Sequence, residues 1–281
     1  VSERLTIAFQ GEAGSNSDEA CRDYFPDHEP LPCDTFEDAF EAIKTGRAQR
    51  GMIPVENSIA GRVADVHHLL PRAGLKIVGE RFKPIHFHLM ANPGVSLEDI
   101  QVVSSHVMAL GQCRRALRRL NVRTEVASDT AGAARRLAEA PDPARAAIAP
   151  ALAAELYGLQ ILMRGLEDER HNTTRFLVMS GEADPPAPPY TERCVTGFVF
   201  QVRNVPAALY KVMGGFATNG VNMTKLESYM EGGGFTATIF YAEVDGRPQD
   251  RGLALAFEEL AFFSERFEIL GVFPADPYRD R

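Results

Sequence analysis

The stretch from Ser180 to Arg193 reads Ser-Gly-Glu-Ala-Asp-Pro-Pro-Ala-Pro-Pro-Tyr-Thr-Glu-Arg, and it constrains the fold more than any other part of the chain. Its four prolines and scant apolar content make it stiff and extended, the composition of a linker between domains. It divides the chain into a region of residues 1–182 and a region of residues 194–281. Before it, short apolar runs alternate with segments of helical periodicity, which predicts an α/β domain. After it, the pattern reads strand (Val195 to Val202), helix (Ala207 to Thr218), strand (Asn222 to Tyr229), strand (Phe235 to Val244), helix (Leu253 to Phe263) and strand (Phe267 to Val272). That βαββαβ order is the ferredoxin-like arrangement.

Local signals place the elements of the first region. Leu5-Thr6-Ile7-Ala8-Phe9 is a buried strand, followed by a turn at Gly11-Glu12-Ala13-Gly14-Ser15. Phe36, Ala39, Phe40 and Ile43 share one helical face, with Thr35 as N-cap and Gly46 as the stop. Met52-Ile53-Pro54-Val55 is a strand ending in a loop. Val102-Val103-Ser104 is another, followed by one helix over about Ala109 to Leu120. Ala146-Ala147-Ile148 and a helix through Leu152, Leu156 and Tyr157 complete the series.

A length of 281 residues allows one large or two ordinary domains. The net charge of −8 argues against a general nucleic-acid binder, which shows a basic face. No run approaches the roughly 20 apolar residues of a membrane span. The first residues, Val1 to Leu5, enter a strand pattern without an apolar signal core, so a cytoplasmic protein is expected. Cys21, Cys33, Cys113 and Cys194 have neither zinc nor disulfide spacing and read as reduced thiols. His86 and His88 place two imidazoles on one strand face, but no third ligand stands at useful spacing.

Four polar segments carry candidate chemistry. Asn172-Thr173-Thr174-Arg175-Phe176 sets two hydroxyls, an amide and a guanidinium side by side before an apolar run. Seen alone, a Thr-Arg pair at a strand start is usually structural and solvated. Glu56-Asn57-Ser58 follows a strand end and a turn set by Pro54, where parallel sheets bind ligands. Ser105-His106 leads into a helix whose free N–H groups suit an anion, with Gln112-Cys113 behind it. Gly11-x-x-Gly14-Ser15 lies between strand and helix, as an anion-cradling loop should, although a glycine turn is a weak signal. Ser128-Asp129-Thr130 is read as an N-cap.

Taken in order, these segments resemble prephenate dehydratase, a family that converts prephenate to phenylpyruvate with loss of water and carbon dioxide. The family's Asn-x-Thr-Arg-Phe, Ser-His-Pro-Gln…Gln-Cys and Gly-Pro-x-Gly-Thr-Phe-Ser motifs find counterparts here. Val107-Met108 stands for Pro-Gln, and Glu12-Ala13 with Ser15-Asn16-Ser17 fills the glycine loop. The resemblance implies a two-lobed, periplasmic-binding-protein-like (type II) α/β region with its site in the cleft. It implies a catalytic set of Thr174, Glu56, Asn57, Ser105 and Gln112, with Thr174 as proton donor, and substrate contacts from Arg175, Asn172, Phe176, Ser58, Gly14, Ser15 and His106. Neither a metal nor an organic cofactor is expected. Residues 194–281 resemble the ACT regulatory domain of these enzymes. Its phenylalanine-binding elements, Gly-Ala-Leu and Glu-Ser-Arg-Pro in the family, appear as Ala207-Ala208-Leu209 and, after Asn222, Glu227-Ser228-Tyr229-Met230. A homodimer or homotetramer through these domains, and L-phenylalanine as effector, are implied. Two alternatives stand beside this reading: arogenate as substrate, and a non-catalytic amino-acid-binding sensor on the same fold.

Overall fold

Apolar runs such as Leu89-Met90-Ala91 and Ala146-Ala147-Ile148 become strands because helices cover both faces of their sheet, which leaves no polar side to alternate with. The computed structural model describes residues 4–181, 193–203, 205–230 and 237–280. In chain order the elements are β1 (Leu5–Gln10), α1 (Asn16–Tyr24), β2 (His28–Cys33), α2 (Phe36–Lys44), β3 (Arg50–Asn57), β4 (Gly61–Arg62), α3 (Ala64–Leu69), β5 (Lys76–Pro84), β6 (His88–Ala91), β7 (Val102–His106), α4 (Val107–Gln112), α5 (Arg114–Leu120), β8 (Arg123–Ala127), α6 (Thr130–Glu139), β9 (Arg145–Ala149), α7 (Ala151–Tyr157), β10 (Gln160–Met163) and β11 (Thr173–Ser180). They continue with β12 (Cys194–Val202), α8 (Ala208–Thr218), β13 (Met223–Met230), β14 (Ala237–Asp245), α9 (Arg251–Phe263) and β15 (Ser264–Pro274). The chain divides into two compact units, residues 1–66 with 81–176, and residues 67–80 with 177–281.

The first unit holds two lobes. One is built on the sheet ordered β2-β1-β3-β11-β5, with β4 folded back on β3. The other is built on β10-β6-β9-β7-β8. The strand reached only after the second lobe, β11, inserts beside β3, which gives the expected two-lobed architecture. In the second lobe the two-residue period sorts the core. Leu89, Ala91, Ala146 and Ile148 pack on one face with Leu110 and Leu117, and Met90, Ala147 and Ala149 on the other with Ala133, Leu137 and Ala153. In the first lobe Ile7, Phe9, Met52 and Phe176 close over Ala20 and Cys21.

Both expected helix caps are present. Thr35 Oγ1 accepts the Asp38 N–H at the start of α2, and Asp129 accepts the Gly132 N–H at the start of α6. Three local readings change. The single helix expected over about Ala109 to Leu120 is two, α4 and α5, broken at Cys113 (φ −116°, ψ 22°). The reason is a tertiary insertion: the Asp168 N–H donates to Gln112 O, and the Asp168 carboxylate accepts the Arg115 N–H, capping α5. Pro54 lies inside β3 rather than at a turn. It is tolerated because β1 pairs with β3 only at Ile7–Arg50 and Ala8–Gly51, so no ladder bond to β1 is lost at residue 54. His86 lies outside β6 and bonds Glu167, while His88 is buried with Nδ1 accepting the Gly165 N–H, so the two imidazoles do not share a strand face.

In the second unit β12 to β15 form a sheet ordered β13-β14-β12-β15 with α8 and α9 between them in sequence, the ferredoxin-like topology read from the pattern. Phe198 stacks on Phe216 at 5.7 Å and meets Phe257 edge-on at 5.1 Å, joining sheet to helices. Gly271 permits a close approach, since a Cβ there would stand 2.0 Å from Ile77 O. Residues 182–192 of the expected linker, Val1 to Glu3, and Phe235-Thr236 of the expected strand lie outside the described residues.

A buried ionic cluster also sits in the second unit. Arg279 grips Glu80 through Nε (2.6 Å to Oε1) and Nη2 (2.9 Å to Oε2), and Nη2 lies 2.8 Å from Glu243 Oε2. Glu80 and Glu243 are 0% and 1% exposed, so both carboxylates depend on compensation inside the protein. Tyr241 donates to Glu243 at 2.7 Å. Arg279→Met removes the guanidinium they share and is expected to lower stability by about 3–5 kcal/mol, read as a fall in urea midpoint.

Candidate functional site

The side-chain amide of Asn57, the last residue of β3, anchors a network in the first unit. Its Oδ1 accepts the N–H groups of Ile59 (3.0 Å) and Ala60 (2.8 Å), a local turn that fixes which end of the amide is oxygen. Nδ2 therefore points the other way. It donates to Asn172 Oδ1 at 2.8 Å and to Thr174 Oγ1 at 3.0 Å, with Thr173 O at 3.3 Å. Asn172, 2% exposed, passes the network on, its Nδ2 donating to Gln112 Oε1 at 2.8 Å. Gln112 comes from the second lobe, so this chain of amides joins the two lobes.

The geometry leaves two donors open. Thr174 Oγ1 is the acceptor in its bond with Asn57, so its own hydrogen is free to point elsewhere. Among the described residues no bond occupies it, nor the Nε2 hydrogens of Gln112. A hydroxyl that accepts a hydrogen bond is a better donor in turn. The half-buried Thr174 and Gln112 thus offer an O–H and an N–H beside one another's network, a fit for a leaving oxygen and an anion.

The other residues expected at the site are engaged within the protein. Strand period sends Thr174 and Arg175 to opposite faces of β11, so they do not lie side by side. Arg175 is 5% exposed with its guanidinium carbon 5.7 Å from the Phe82 ring centroid. Phe176 is packed in the first-lobe core and presents no open face. Glu56 falls on the face of β3 opposite Asn57, in register with Arg62 of β4. Ser105 is fully buried and donates to Ile148 O at 2.6 Å, bracing β7 against β9. Ser58 donates to His171 O and accepts the Thr173 N–H, which ties β3 to β11. His106 caps α4, with Nδ1 accepting the Met108 N–H at 3.3 Å. Ser15 caps α1, and the Gly14 N–H is taken by the buried Asp18 carboxylate at 2.8 Å, so the glycine loop already holds an internal anion.

Sequence reasoning missed the part of Glu12, whose carboxylate meets Arg135 of α6 at 2.6 and 3.1 Å. That hydrogen bond, opposed by desolvation and helped by the charges of Arg135 and Arg136, holds the Glu12 carboxyl below the usual carboxylate range. The one available signal was its place inside the glycine loop. A depression of about 850 Å³ lined by Glu125, Val126, Arg136 and Arg145 shares no residue with the amide network. Among the described residues no cluster of three or more His, Cys, Asp or Glu could hold a metal, and no helix is long and apolar enough to cross a membrane.

At the expected effector elements, Ala207 precedes α8 with φ 64° and ψ 10°, the left-handed conformation that glycine adopts freely. Ala208 is buried, and Leu209 packs on the helix-sheet core. Glu227 lies 3.4 Å from Lys225, and Ser228 is exposed in β13. Asn222 donates to Asp245 Oδ2 at 2.8 Å, so its amide braces the approach to β13.

A family model described as prephenate dehydratase matches residues 7–184. A protein of Komagataeibacter europaeus named bifunctional N-acyl-homoserine lactone acylase/prephenate dehydratase is 49% identical over 276 residues, covering 97% of each chain. Arogenate dehydratase/prephenate dehydratase 2 of Arabidopsis thaliana is 35% identical over 97% of this chain and 74% of its own. Among solved structures, a prephenate dehydratase of Arthrobacter aurescens in complex with L-Phe superimposes with a TM-score of 0.88 at 30% identity, over 96% of this chain and 90% of that one. Ala207→Gly should relieve the left-handed strain and raise stability by about 1 kcal/mol, seen as a higher melting temperature.

Proposed function

The chain belongs to the prephenate dehydratase family, and from this premise we propose that it converts prephenate to phenylpyruvate, water and carbon dioxide. The observation that carries the reading is the Asn57–Thr174 bond, which turns the threonine hydroxyl hydrogen outward. In the reaction the ring C–O bond breaks as the hydroxyl takes a proton and leaves as water. The ring carboxylate's C–C bond breaks with it, carbon dioxide departs, and that electron pair completes the aromatic ring. Thr174 relays the proton, taking its replacement from solvent water, and its oxygen is stabilised by the Asn57 N–H. Gln112, anchored by Asn172, donates to a substrate oxygen. Arg175, on the opposite face of β11 with its guanidinium carbon 5.7 Å from the Phe82 ring centroid, acts by holding the strand rather than as a fork beside the hydroxyl. The protein's task is orientation and one proton, since aromatisation supplies the driving force.

Residues 194–281 act as an ACT domain that binds L-phenylalanine and assembles the enzyme as a homodimer or homotetramer in the cytoplasm. The ferredoxin-like topology supports this, as does the phenylalanine complex of the Arthrobacter aurescens relative. Exposed Tyr210 (77%) and Met213 (42%) on α8 supply an apolar face for a second copy. Two relatives' names keep other substrates in view: arogenate, and N-acyl-homoserine lactones. Purified protein should therefore be assayed with prephenate, arogenate and an acyl-homoserine lactone in parallel. Phenylpyruvate from prephenate is the expected main product, and phenylalanine from arogenate alone would replace this reading.

Thr174→Ala is expected to reduce turnover on the order of a hundred- to ten-thousand-fold, with an unchanged melting temperature. Thr174→Ser should retain more activity because the hydroxyl survives. Near-normal turnover in Thr174→Ala would move the proton donor elsewhere. Calorimetry should detect L-phenylalanine binding, and inhibition should accompany it.

A further inference from the structure

The turn after β1 does more than follow a strand: three consecutive residues of it dock on the second lobe. Glu12 makes a two-oxygen pair with Arg135 of α6. Ala13 O accepts the Tyr157 hydroxyl of α7 at 2.7 Å. Gly14, at φ 85°, lies so close to α7 that a Cβ would stand 2.9 Å from the Ala153 Cα. The second lobe is shaped to receive this turn. At Gly132 a Cβ would come within 2.5 Å of Asp129 Oδ2 and 2.8 Å of Glu12 Oε1, so the missing side chain makes room for the capping carboxylate and for that of Glu12. Arg135 is also held by Glu139, at 2.9 and 3.1 Å, which fixes its guanidinium before Glu12 arrives.

We propose that Glu12, Arg135 and Tyr157 are positioning residues that latch the two lobes of the first unit together, so that Gln112 of one lobe stays registered on Asn172, Asn57 and Thr174 of the other. The latch and the Asn172–Gln112 bond are separate ties between the same two lobes. With the first intact, the second needs no further search to form. Without it, the lobes part more often, and only the closed fraction presents the complete network. Apparent substrate affinity then falls in proportion to that fraction, while turnover of the bound complex is preserved.

The kinetic readout rests on the dehydratase reading, and the second readout does not. Glu12→Gln and Arg135→Gln should each raise KM for prephenate about three- to fivefold, the upper end for a part-exposed ion pair, with kcat nearly unchanged. The double variant should be no worse than the poorer single, since both break one interaction. Tyr157→Phe, which removes only the hydroxyl, should move KM in the same direction. In the same proteins, amide hydrogen exchange at residues 11–15 should accelerate. Additive effects in the cycle, or unchanged KM together with unchanged exchange, would overturn the latch. Exchange that accelerates non-additively in a protein inactive on prephenate would keep the latch and remove the dehydratase reading.

Discussion

An asparagine amide has one oxygen and one nitrogen, and at Asn57 the protein leaves no choice about which is which. Two backbone N–H groups, from Ile59 and Ala60, claim the oxygen. The nitrogen must then serve Asn172 and Thr174, and every later feature of the site inherits that polarity. Thr174 becomes an acceptor toward Asn57 and a donor toward whatever lies beyond. Asn172, with its oxygen engaged, turns its own nitrogen to Gln112 and so reaches the second lobe. A single local turn therefore sets hydrogen-bond direction across two lobes, without a charged group at its centre.

The fold was legible wherever the determinants were local. Thr35 and Asp129 cap the helices they precede, and the βαββαβ order after the linker is the order found. Legibility failed where a distant segment intervened. Nothing near Cys113 says that Asp168 will bind both sides of it and split a helix. Pro54 looked like a turn because its effect depends on where β1 stops pairing.

The site shows the same division. Motif residues Asn57, Asn172, Thr174 and Gln112 do come together. Ser58, Ser105 and Ser15 belong to the same motifs, yet their oxygens brace strands or cap a helix. A motif marks residues that must be kept, and it does not separate those that touch a ligand from those that hold the ones that do. Strand parity was available from the sequence and separates Thr174 from Arg175, and Asn57 from Glu56. Glu12 sat inside the glycine loop, but its part was not legible there, because its partner Arg135 is more than a hundred residues away.

The turn at Asn57 is secured through main-chain N–H groups, so it asks nothing of the side chains at 59 and 60. Both are exposed, Ile59 at 38%. Those two positions can therefore change in size and polarity while the Asn57 amide, and with it the Thr174 hydroxyl, keeps its direction. The exposed surface beside Asn57 is thus decoupled from the polarity of the amide network beneath it, since the one is written in side chains and the other in main-chain N–H groups.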